Sequence, residues 1–179
     1  MVQQDIILGG KLGLSRQAAR QEILKAEAQG EAQRLRVRTS VRSLFYQAVA
    51  AQRKVEVQNR LWNLVREAVT TSRQLQNIGQ ADLPDVLEIE IEEQNAELAL
   101  ISAQNEQQQV WTELASAVGR PTLPIAPLAG DLENVPDLDA EGLLTKLLAE
   151  SPEVKIARAD AARAEFTLRR AEREPIPDL

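Results

Sequence analysis

Histidine and cysteine are both missing from this 179-residue chain. Without imidazole there is no ordinary general base, no common transition-metal ligand and no catalytic triad of the histidine type. Without cysteine there is no disulfide framework and no thiol nucleophile, and the redox compartment leaves no mark. Aromatic residues are also scarce, with two Phe, one Tyr and two Trp making up 3% of the chain, too few to fill an ordinary globular core of this length. No run of about 18 apolar residues occurs, so no segment reads as a membrane-spanning helix, and no secretory signal opens the sequence.

What remains is Ala, Leu and Val set among Gln, Glu and Arg, the balance of long helices and coiled coils. The net charge of −6 is unevenly laid out. Residues 1–60 carry +6, residues 61–150 carry −12 and residues 151–179 are neutral. The acidic middle would repel phosphates, which argues against nucleic acid. The basic first section is interleaved with acids and reads as a solvated helical face.

The chain begins with an apolar stretch, Gln3 to Leu8, that resembles the tail of a strand, then turns at Gly9-Gly10-Lys11-Leu12-Gly13. A phosphate loop would require Ser or Thr where Leu12 stands. From Ser15, a candidate N-cap, the pattern is helical as far as Ile78, with Val41, Leu44, Phe45, Ala48, Ala51, Val55, Leu61, Leu64, Val65, Ala68 and Leu75 on one face. Such a helix of roughly 63 residues is a rod of about 95 Å.

A reversal follows. Gly79 suits the left-handed residue just past a helix end. Asp82 can cap the next helix, Asp85 can complete a capping box, and Pro84 fits a first turn. The second helix runs from Leu83 to about Val118 with Val86, Ile89, Ala96, Leu100, Ala103, Val110, Leu114 and Ala117 as its apolar positions, and Gly119 and Pro121 end it. At about 50 Å it can flank only half of the first helix. Residues 120–136 hold four of the eight prolines and read as an extended strap. A short amphipathic helix follows, capped near Asp137 or Asp139, with Leu143, Leu144, Leu147 and Leu148 on one side. Ser151-Pro152-Glu153 then starts a last helix reaching Glu174, whose apolar face is Ala157, Ala161, Ala164, Leu168 and Ala171.

The fold class expected is therefore all-α: a long antiparallel coiled-coil helical hairpin with a Pro-rich strap and a third helix stacked on the second. The divisions are a strand tail and Gly-rich turn at 1–14, the hairpin at 15–119 with its turn at 79–84, the strap at 120–137, and at 138–179 a short helix, a further helix and the start of a strand.

The turn from Ile78-Gly79 through Asp85-Val86-Leu87, followed by Ala96, Leu98, Ala103 and Leu114 and closed by Gly119, resembles the hairpin signature of the TolC-like outer-membrane efflux protein family. Gly9-Gly10-Lys11, Val41…Leu44-Phe45-Tyr46 and Ser151-Pro152-Glu153-Val154 leading to Pro175-Ile176-Pro177 are similar to its other landmarks. In that family three protomers form an outer-membrane β-barrel continuous with a periplasmic α-barrel, and each protomer carries two repeats. The resemblance implies that this chain is a periplasmic α-barrel fragment without the membrane strands or the second hairpin, and that it does not conduct alone. It implies a homotrimer in the full-length protein, a periplasmic adaptor (the membrane fusion protein) at the tip, an inner-membrane pump reached indirectly, and no cofactor. By position, Ile78, Gly79 and Gln80 would touch the adaptor, with Asp82 and Asp85 beside them.

The acids Glu88, Glu90, Glu92, Glu93 and Glu97 read first as a solvated helix face. No pocket is suggested that would shift a carboxyl for catalysis, and a di-iron bundle would need histidine. A sharper expectation is that Asp85, Glu88 and Glu92 face the lumen, where threefold symmetry would make rings that favour cations. Trp62 and Trp111 lie well inside helices and read as packing residues rather than interface anchors. Periodicity alone leaves open a different class, a soluble coiled-coil scaffold that binds partner helices. An enzyme is not expected.

Overall fold

The computed structural model describes residues 7–133 and 139–177. Four helices account for most of them: α1 (Lys11–Asn77), α2 (Leu83–Ala117), α3 (Ala140–Glu150) and α4 (Pro152–Ala171). The chain divides into two compact units, Arg38–Val135 on one hand and Met1–Val37 with Pro136–Leu179 on the other, and α1 supplies residues to both.

In the Arg38–Val135 unit, α1 and α2 form the expected antiparallel hairpin. Their shared seam is built from Ala48, Ala51 and Val69 of α1 and Val86, Ala96, Leu100, Ala103 and Leu114 of α2, all buried. Small side chains recur at the closest positions, and Ala103 is fully covered, so the two backbones approach closely. Three ion pairs hold the register: Lys54–Glu106 at 2.6 Å, Arg66–Glu93 at 3.7 Å and Arg73–Glu90 at 2.8 Å. Each is exposed enough to contribute at most about 1 kcal/mol, so register rests mainly on the buried seam.

The strap is fastened by side chains, because its prolines and extended backbone leave main-chain groups without helical partners. The Trp111 indole Nε1–H donates to the Leu123 carbonyl at 2.9 Å. Gln52 holds Leu128 twice, accepting its N–H at 2.8 Å and donating to its carbonyl at 3.4 Å. Trp111 is thus a packing residue with a satisfied polar edge. Trp62 is also turned inward, its Nε1 buried.

In the other unit α4 runs against the first part of α1. Lys25–Asp160 and Lys155–Glu31, both at 3.0 Å, and Arg163–Glu22 at 3.2 Å cross between them. Asp139 is the N-cap residue of α3, and Asp137 lies outside the described residues. The four leucines of α3, Leu143, Leu144, Leu147 and Leu148, are all exposed.

Several expectations need correction. α1 starts at Lys11 rather than after Ser15. The break is made by Gly9 and Gly10, whose φ values are +70° and +73°, and the Leu14 N–H already bonds the Gly10 carbonyl at 3.2 Å. Ser15 is then an interior helical residue. α4 ends at Ala171, not Glu174, because Pro175 disfavours helical geometry just before it; Arg173 and Glu174 make tighter i→i−3 bonds instead. Ser151 stands at the N-cap of α4, but its hydroxyl donates to the Glu153 carboxylate at 2.7 Å and does not cap the backbone. That bond, with the Glu153 backbone N–H, holds the Glu153 carboxyl below its ordinary range. The expected inner face of α4 is also displaced. Ala159 is buried, with Ile156, Ala162 and Phe166 half-buried around it, whereas Leu168 is 61% exposed and Ala157, Ala161 and Ala164 face out. Of the strand-like ends, Ile7, Leu8 and Pro175–Pro177 lie in no strand, and the rest lie outside the described residues.

Candidate functional site

The reversal between α1 and α2 is set by local chemistry. The Gly79 N–H bonds the Gln76 carbonyl at 2.9 Å and the Gln80 N–H bonds the Leu75 carbonyl at 2.8 Å, the paired bonds of a Schellman motif, which require a left-handed residue in the middle. Gly79 supplies it with φ +73°. Gly119 repeats the motif at the end of α2, with φ +77° and bonds from Gly119 to Ser116 and from Arg120 to Ala115. Asp82 takes extended backbone at the N-cap, φ −91° and ψ 159°, and Asp85 stands in capping-box register. The Asp82 N–H donates to Asp85 Oδ2 at 3.4 Å. Leu83 and Pro84 fill the first two helical positions, where a missing N–H costs nothing.

This geometry holds Ile78, Gly79, Gln80, Asp82 and Asp85 together at one exposed loop. Ile78 is 67% exposed and Leu83 57%, two apolar side chains beside two carboxylates. Such a surface suits a partner that brings both an apolar contact and hydrogen-bond donors. Asp85 has a structural task there as well, since its carboxylate secures the start of α2.

The acids of α2 divide by partner. Glu90 accepts from Arg73 at 2.8 and 3.0 Å, and Glu93 pairs with Arg66, so both belong to the seam within the hairpin. Glu88, Glu92 and Glu97 are exposed and form no ion pair among the described residues. At about 100° per residue, Asp85, Glu88 and Glu92 share one flank of α2 and Glu97 sits away from them. No group of carboxylates among the described residues could hold a metal ion.

The apolar positions of α1 fall on two faces rather than one. Leu61, Leu64, Ala68 and Leu75 are not on the face that carries Val55, Val65 and Val69. Val57, Leu61, Leu64, Ala68, Thr71, Leu75 and Ile78 follow their own alternation of four and three residues, and all are exposed, Leu64 by 62%. On α2, Leu87, Ile91, Gln94, Leu98 and Ile101 do the same, with Leu98 65% exposed. Each helix of the hairpin therefore carries two heptad seams, one consumed in the hairpin and one open.

The family model described as outer membrane efflux protein matches residues 1–120. The chain belongs to the outer membrane efflux protein family. The cobalt-zinc-cadmium resistance protein CzcC of Cupriavidus metallidurans is 26% identical over 174 residues, which is 97% of this chain and 42% of that protein. The chain thus spans less than half the length of this curated relative. No solved structure matches it. The family match covers the whole of α1, the tip turn and α2, the elements that carry the four seams, and an all-α hairpin is the α-barrel segment of this family.

Proposed function

We propose that this chain is a segment of the periplasmic duct wall of an outer-membrane channel for tripartite efflux, that it docks a periplasmic adaptor at the Ile78–Asp85 tip, and that it performs no catalysis. The observation carrying this reading is the pair of open heptad seams. A helix with one apolar seam completes a two-stranded coiled coil, whereas a helix with two can pass contacts to neighbours on both sides. Repeated around an axis, such hairpins close into a tube. A homotrimer of the full-length protein would supply the repetition, with the inner-membrane pump reached only through the adaptor.

The relative's name concerns resistance to cobalt, zinc and cadmium, and divalent cations are the cargo we propose here. Asp85, Glu88 and Glu92 would act through their summed field rather than as ligands. A duct must attract a cation without holding it, and separated carboxylates on one flank do that. The tip contact is tested in the full-length protein. Gln80→Cys carrying a photo-crosslinker should capture the adaptor, whereas the same label at Asn95, exposed in α2, should not. Equal capture at both positions would refute tip docking. A soluble scaffold would instead lack strand-hairpin segments and a second helical hairpin in its parent reading frame.

A further inference from the structure

The turn before α1 and the turn after α4 are joined by contacts of a different kind from those elsewhere between these helices. Lys11 is only 4% exposed, and its Nζ donates to the Ile176 carbonyl at 2.6 Å. Arg173 answers from the other side, its Nη1 donating to the Gly9 carbonyl at 3.0 Å. Between these two bonds the Ile176 side chain lies over Gly9. A Cβ added to Gly9 would stand 2.9 Å from Ile176 Cδ1 and 3.4 Å from its Cβ, so the Ile176 side chain would have to shift, and the φ of +70° asks for glycine independently.

Among the described residues little else holds the end of α4. The ion pairs to α1 come from Lys155, Asp160 and Arg163, and Ala159 is the α4 residue buried between them. Beyond Phe166, residues Thr167 to Ala171 are exposed throughout. The ion pairs are open to solvent and therefore screened by salt. The bond from buried Lys11 to a carbonyl is shielded from that screening.

We propose that Lys11, Arg173 and the Gly9–Ile176 contact form a latch, and that opening it frees the chain from Thr167 to Ile176 while α1 and α4 both stay helical. The latch fixes Gly9 and Ile176 against one another.

The test uses the 179-residue chain, whose lack of cysteine permits site-specific spin labels at Leu12→Cys and Glu172→Cys. With the native latch the distance distribution should be narrow. Lys11→Met should replace the narrow peak by a broad one with unchanged helical circular dichroism, and Lys11→Arg should restore it. Gly9→Ala, which keeps both cations but displaces Ile176, should broaden it too. A peak that stays narrow in both Lys11→Met and Gly9→Ala would overturn the proposal. Broadening accompanied by loss of helix content would overturn it as well, by making Lys11 a general stabiliser of the fold.

Discussion

The same chemical change, glycine to alanine, should have opposite effects at two places in this molecule. Gly79 has φ +73°, and a Cβ there would meet nothing within 4 Å. The whole effect of Gly79→Ala is then conformational. Holding an L-residue in left-handed geometry costs roughly 1–2 kcal/mol, partly offset by about 0.4–1 kcal/mol from the stiffer unfolded chain. The net is a loss of about 1 kcal/mol. Gly30 also meets nothing within 4 Å but lies inside α1, where alanine is better than glycine by roughly 0.5–1 kcal/mol. Gly30→Ala should therefore stabilise. Because the two residues belong to different units, native-state hydrogen exchange is the assay that reads each one locally. Faster exchange of the Gln80 and Asp85 amides in Gly79→Ala, with slower exchange around Gly30 in Gly30→Ala, is the expected result. A shift of the same sign at both sites would refute the argument that the tip is set by a left-handed glycine. Gly79→Asn, which tolerates that geometry better, should fall between wild type and alanine.

Other substitutions probe packing and charge. Ala103→Leu puts a large side chain into the fully covered seam position and should cost about 1–3 kcal/mol in urea denaturation. Gln58 Oε1 and Trp62 Nε1 are buried one helical turn apart with no hydrogen-bond partner among the described residues. Removing the orphaned donor in Trp62→Phe should be neutral or stabilise by up to about 1 kcal/mol despite the lost ring, read by the same denaturation. The Lys25 ammonium, by hydrogen bond and by charge, and then Arg163 hold the Asp160 carboxyl below its ordinary range. A lowered folded value means that the contribution is present above the unfolded carboxylate range of about 3.9 and lost as pH falls through the lower folded value. Exchange protection of α4 amides should therefore fall below about pH 4, and Asp160→Asn should remove that part of the pH dependence.

Much of the architecture was legible because the signals that end and start helices are local. Gly79, Asp82, Pro84 and Asp85 act within one turn of themselves, so the reversal, the start of α2 and its end at Gly119 follow from the residues alone. The features that the local sequence does not reveal depend on distant neighbours. Ser15 has the chemistry of an N-cap, but the turn preceding α1 is made by Gly9 and Gly10, and Ile176, far along the chain, packs on Gly9. On α4, alanines at two registers are equally apolar, and only packing against α1 selects Ala159 over Ala161. The open seams were hidden for a related reason. Two interleaved heptad patterns on one helix look like a single broad apolar stripe, and burial is what divides Val65 and Val69 from Leu61 and Leu64. Which acids were free was equally hidden, since Glu90 and Glu93 differ from Glu88 and Glu92 only in having arginines opposite.

On the function proposed above, the open seams are walls shared with neighbouring helices. Cysteines placed at Leu64 and Leu98, 62% and 65% exposed in this chain, report on it directly through their rate of thiol labelling. Both should label rapidly in the 179-residue chain and slowly in the assembled full-length protein, while Glu67→Cys, off the seam, labels rapidly in both. Equally rapid labelling of the Leu64 and Leu98 positions in both proteins would contradict the account.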